Sequence, residues 1–164
     1  MHVVDSSNPH EKKTRQWVRA RGRISAAGGH QAHLSALAYM SDSYFIGAVA
    51  RIHDLVRTKV KRGMTSEEQA AAAAREAEQE RERGNTRPQL GMMVSLDHTI
   101  FFHSPRDFRA DEWMYCEMES PWAGDGRGVV HQKIFTQDGR LIATCVQEVC
   151  LILLRERRIG GVTG

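Results

Sequence analysis

Two polar residues stand where the hydrophobic pattern calls for apolar ones, and both carry usable chemistry. Asp42 lies four residues after Ala38 and three before Phe45. It shares their stripe with Leu34, Val49, Ile52 and Val56, which recur at the spacings of one buried helix face. A carboxylate there is costly without a purpose, and it is a proton acceptor where a site needs one. A second reading stays open: the run Ser41-Asp42-Ser43 also suits a cap between two shorter helices. Gln147 is the other oddity, set among Leu141, Ala143, Cys145, Val149 and Leu151 on one face of an alternating run. A lone Gln in that place is a core amide with partners, or a second polar group of the same site.

Other groups offer less. His98 and His103 flank an apolar Ile-Phe-Phe stretch and read as structural or surface residues. His30 with His33, and His53 with Asp54, lack the further ligands a metal requires, so neither metal nor cofactor is expected. No Ser-His-Asp arrangement is evident, and no cysteine has an obvious His partner. Cys116, Cys145 and Cys150 form no CxxC pair, and two of them lie in an apolar run. They read as small core residues in a reducing compartment, and the expected location is intracellular and cytoplasmic.

The elements that must position Asp42 and Gln147 follow from the same patterns. At 164 residues, with 41% hydrophobic and 26% charged residues, the chain is expected to form one soluble domain. Its net charge of +3 comes from basic residues interleaved with acids, which argues against nucleic acid as a partner. No apolar run is long enough to span a membrane, and MHVVDSSNPHEKK has no apolar core of a signal peptide. Residues 1–14 read as a flexible lead-in, and 17–24 alternate as a strand with one wet face. Gly28 and Gly29 precede a long helix over 30–56, whose small residues let a sheet approach closely. Composition turns polar over 57–88: Ser66 and Gln69 have capping-box spacing before an Ala-, Glu- and Arg-rich helix without an apolar face. That stretch reads as an exposed spacer inserted into the domain.

Strands are expected over 92–103, 112–119, 129–136 and 141–153, the last two joined by a hairpin at Asp138-Gly139. In 92–103 the apolar face is assigned to Val94, Leu96, Ile100 and Phe102. Residues 155–164 read as a flexible basic and glycine-containing tail. One strand, one long helix and at least four further strands predict an α+β hotdog fold, an antiparallel sheet wrapped around one long central helix, over 15–154. Ile142, Val146 and Ile152 fall on the second face of the last strand and need burial too, which predicts a homodimer or a higher even oligomer.

Five motifs in order then carry a resemblance: HLSALAYMSD, SLDHTIFFHSP, FRADEW, ESPWAGDGRG and FTQDGRLIATCVQE. With WVRARG before the helix, they resemble the C-terminal half of the acyl-CoA thioesterase II family over about 15–154, apart from the insertion. That family has a double hotdog, and it hydrolyses fatty acyl-CoA to free acid and CoA in lipid metabolism. The resemblance implies that Asp42 of MSD, Ser95 of SLDH and Gln147 of VQE orient the attacking water. Asp42 would be the general base, with the other two fixing the water's direction. Ser95 comes from the resemblance alone. Three departures accompany it: the N-terminal hotdog half is missing, the 57–88 stretch is long, and Arg106-Asp107 is an extra pair. The first implies a partner sheet from another chain, or a fragment of a longer protein. The resemblance allows a peroxisomal location, although no Ser-Lys-Leu-type signal ends the chain. Arg57–Arg62 and Arg155, Arg157 and Arg158 are candidates for CoA phosphates, with solvated charge as the plainer account. Two other functions compete: a non-catalytic half-length acyl-CoA-binding homologue, and a hotdog enoyl-CoA hydratase or dehydratase.

Overall fold

The structure, a computed structural model, describes residues 2–4, 6–57, 64–82, 84 and 88–153. The expected tail at 155–164 and parts of the polar stretch (58–63, 83 and 85–87) lie outside these residues. The strands are β1 (His2–Val4), β2 (Lys13–Val18), β3 (Val56–Arg57), β4 (Gln89–Ser95), β5 (Thr99–Phe102), β6 (Met114–Gly124), β7 (Arg127–Thr136) and β8 (Leu141–Leu153). They form one sheet in the order β1-β2-β6-β7-β8-β4-β3, with β5 also paired to β8. All pairings are antiparallel except the short β3–β4 contact.

Alternation decides which face is covered. Met114, Cys116 and Met118 of β6, Val130 and Ile134 of β7, and Cys145, Val149 and Leu151 of β8 are buried beneath the helices. The hairpins are set by Asp-Gly pairs. Asp125 and Gly126 both take positive φ between β6 and β7, and Gly139 does so between β7 and β8. This is the expected hotdog arrangement, with one correction to its centre.

The central helix is not one long element. It runs as α1 (Gly29–Ser41) and α2 (Gly47–Ile52), and Asp42 is the C-cap of α1. Tyr44 takes φ 63° in the turn, a left-handed conformation that no helix continues through. The break resets the phase of the buried stripe. In α1 it is His33, Leu37 and Ser41 that are buried, one residue away from the expected Leu34 and Ala38. In α2 it is Ala48, Val49, Ala50 and Ile52, with Phe45 buried just before them. Gly128 of β7 lets α2 approach: a Cβ there would stand 2.7 Å from Val49 Cγ1.

Four further expectations are corrected. The residues read as a lead-in contain β1 and the start of β2, which pair with each other. The strand expected over 17–24 stops at Val18, because Ala20 N–H turns to Ala110 O at 2.7 Å and Gly22 takes φ 88°. The capping box of the polar helix α3 (Ser66–Glu82) sits one residue earlier: Glu68 N–H donates to Thr65 Oγ1, and Thr65 N–H to Glu68 Oε2. Ile142 is fully buried within the chain, while Val146 and Ile152 remain exposed on the outer face.

Candidate active site

The strand expected over 92–103 is interrupted, and the interruption builds the site. On β8, Ser95 of β4 is the partner of Val149, and Thr99 of β5 is the partner of Val146. Three residues, 96–98, therefore face two, 147 and 148, which makes a β-bulge. Asp97 supports it by standing in for a backbone partner: its Oδ1 accepts Glu148 N–H at 2.7 Å, while Leu96 N–H donates to Glu148 O at 2.9 Å. The bulge also corrects the face assignment. Ser95 lies opposite buried Val149 and Ile100 opposite buried Cys145, so both point toward the helices. Val94, opposite Cys150, belongs to the outer face and is exposed.

Asp42 and Gln147 meet here. Gln147 is fully buried, and its Nε2 donates to Asp42 Oδ1 at 2.8 Å. The carboxylate stands at the open end of the pair, on an exposed residue. Gln147 Oε1 is buried and has no partner. Ser95 is a diagonal neighbour of Gln147 across the ladder, at a Cα spacing of roughly 7–8 Å. Among the described residues no hydrogen bond joins Ser95 to Asp42 or Gln147. The three residues thus share one side of the sheet, with Asp42 and Gln147 in contact and Ser95 apart.

The histidines divide. His103 Nε2 meets Thr144 Oγ1 at 2.9 Å on an exposed site. His33 is buried, and its Nδ1 accepts Ala110 N–H at 3.1 Å. Beside it Asp111 accepts from Arg109 at 2.8 Å and from Ile24 N–H at 2.8 Å, and the Arg109 guanidinium holds its carboxyl down to about 2. That cluster ties the start of α1 to the loop before β6. Two open clefts of about 650 and 670 Å³ border Arg109 and contain none of Asp42, Ser95 or Gln147. His98, expected to be a structural or surface residue, lies beside Asp42's neighbour: its Nε2 is 2.9 Å from Ser41 Oγ, and its ring meets Phe45 edge-on.

Residues 1–151 match the family described as the acyl-CoA thioesterase C-terminal domain. The chain belongs to that family. It is 38% identical over 138 residues to acyl-coenzyme A thioesterase 8 of Rattus norvegicus, covering 84% of this chain and 32% of that protein. It is similar in structure to the acyl-CoA thioesterase II TesB2 of Mycobacterium marinum, with TM-score 0.57 and 32% identity over 87% of this chain and 42% of that one. A putative thioesterase of Syntrophus aciditrophicus shares the fold at TM-score 0.56 and 14% identity, covering 92% of this chain and 82% of that one. The chain spans about a third of the length of the curated relative it matches.

Proposed function

We propose that this chain hydrolyses fatty acyl-CoA to free fatty acid and CoA by direct attack of a water on the thioester carbonyl. The Asp42–Gln147 hydrogen bond carries the reading. It fixes one carboxylate oxygen and leaves the other to take the proton of the attacking water, which is what a general base must do. Ser95 Oγ and Gln147 Oε1 orient that water. The carbonyl carbon gains the hydroxyl, the carbon–sulfur bond breaks, and the thiolate of CoA leaves to be protonated. The thioesterase names of the relatives support the substrate class.

The site is open on one side, and a second hotdog unit would cover it. Asp42 is exposed, and so are Tyr39 and Tyr44 around it, whereas a water held for attack works best when bulk solvent is excluded. Met92, Val94, Phe101, Val146 and Ile152 leave apolar surface on the outer face of β4, β5 and β8. A homodimer or higher even oligomer satisfies both needs. Among the described residues no helix is long and apolar enough to cross a membrane. An intracellular, reducing setting suits the free thiols.

One observation favours a second reading. A hydratase or dehydratase acting on enoyl-CoA needs a histidine beside its acid, and His98 contacts the residue next to Asp42. The deciding experiment incubates the protein with saturated and enoyl-CoA thioesters of several chain lengths, following free thiol and enoyl absorbance together. Thiol release that accompanies loss of the saturated ester supports hydrolysis. Loss of enoyl absorbance without thiol supports hydration, and binding with neither supports a non-catalytic homologue.

A further inference from the structure

We propose that His98 is a positioning residue of this site, holding the end of α1 against β8 through Ser41 so that Asp42 meets Gln147. The inference rests on the reading of Asp42 as general base.

The bulge supplies the geometry. Continuing the β5 register by one step sets His98 opposite Gln147, so the two are cross-strand neighbours on the inner face. Above them, Ser41 and Asp42 are consecutive residues at the last turn of α1. Ser41 bonds His98 at 2.9 Å, and Asp42 bonds Gln147 at 2.8 Å. Two successive helix residues are thus tied to two facing sheet residues. A single bond would leave the helix end free to turn about it, and two parallel bonds do not. The end of a helix needs such help, because its last carbonyls have lost their intrahelical partners and it frays.

The protons can be assigned from the partners. Ser41 Oγ–H donates to Ala38 O at 2.8 Å, and that carbonyl can only accept. The same hydroxyl must therefore accept from His98, which makes the imidazole the Nε2–H tautomer. Ser41 is 1% exposed, so water does not compete for this bond. Phe45 sets the plane of the ring, edge-on with centroids 5.7 Å apart. The other ring nitrogen, Nδ1, is buried without a partner, which costs stability. An apolar side chain would fill the space without that cost. What the imidazole adds over such a side chain is the donor at Nε2.

The test uses two amides of different reach. In His98→Gln the amide extends to the place of Nε2 and can donate to Ser41, whereas in His98→Asn it stops near Nδ1. His98→Asn is expected to lower kcat for thiol release by about 10–100-fold with KM little changed, the scale of a misplaced catalytic group. His98→Gln should restore most of that rate. Added to Asp42→Asn, His98→Asn should cost nothing more, as members of one unit behave. A second readout does not need activity: the side-chain NH₂ signals of Gln147 in ¹⁵N NMR should shift in His98→Asn and stay in place in His98→Gln. Ser41→Ala, a smaller change should the Asn variant fail to fold, should move them in the same direction. The proposal is overturned if those signals ignore both His98→Asn and Ser41→Ala, or if the rate losses multiply with that of Asp42→Asn. Thiol release with unmoved signals would sink the positioning role and leave hydrolysis standing. Moved signals in a protein that releases no thiol would do the reverse.

Discussion

Gln147 Nε2 donates to Asp42 Oδ1 at 2.8 Å, joining residues 105 positions apart at the break between two helices. Asp42→Asn keeps the shape and the hydrogen-bonding acceptor but removes the carboxylate proposed as the base. It is expected to fold normally and to lose about 10²–10⁴-fold in rate. Ser95→Ala should cost less, since in the proposed mechanism it only orients the water. Gln147→Ala should cost less rate too, though it also empties a fully buried position and lowers thermal stability. The double variant of Ser95 and Gln147 should lose less than the product of the single losses. Thiol release and melting curves on the four proteins decide this, and wild-type turnover by folded Asp42→Asn would defeat the mechanism.

Gly128→Ala should destabilise the fold by about 1–3 kcal/mol, because the added methyl meets a side chain that has nowhere to go. Val49 is fully buried, and its Cγ1 would lie 2.7 Å from the new Cβ. Shortening the obstacle in a Gly128→Ala/Val49→Ala double variant should recover part of what the two single losses add up to. Urea midpoints measure each term. Equal stability of Gly128→Ala and wild type would show that α2 can back away from β7.

Acid should loosen the joint between α1 and the loop before β6. Asp111 is held at about 2 chiefly by Arg109 and then by the Ile24 amide, against about 3.9 for a free aspartate. A depressed carboxyl stabilises the fold above its unfolded value, and that contribution disappears as pH falls from about 4 toward 2. Denaturant titrations at pH 7 and pH 3 should show a smaller acid loss for Asp111→Asn than for wild type. Identical losses would remove this pair from the acid response.

Thiol labelling should sort the cysteines by burial. Cys116 and Cys145 are buried, and desolvation pushes both thiols up to about 12, so neither forms thiolate at pH 8. Cys150 is only partly covered. Native protein treated with iodoacetamide at pH 8 should carry one label, at Cys150, and unfolded protein three. Native labelling of Cys145 would mean that β8 opens beside the site.

Two members of this candidate site are legible in the sequence, and the physical reasons for the rest are specific. Asp42 and Gln147 announced themselves because a period of 3.6 or 2 makes a polar residue on an apolar face conspicuous. The Asp138-Gly139 turn was equally plain, since few residue pairs accept the required φ. Ser95 was invisible to pattern, because a serine on an alternating strand is unremarkable on either face. The helix break at Asp42 is one of two open readings, and the left-handed turn at Tyr44 with the burial of Phe45 decides between them. The place of His98 escapes the pattern because alternation does not run straight through 96–98, where the Asp97 side chain takes over a backbone role.

The bulge at 96–98 also makes chain spacing and strand regularity two halves of one requirement. Three positions apart on an uninterrupted strand, Ser95 and His98 would point to opposite sides of the sheet, and the extra residue of the bulge is what brings them to the same side. Deleting one residue between them would leave a spacing of two, which a regular ladder also sets on one side, so both side chains should stay on the inner face. Single substitutions at Leu96, which is exposed, should be tolerated as well. For a site of this kind, a spacing of two on a regular ladder and a spacing of three across a bulge are equivalent, and homologues are compared by the two features together.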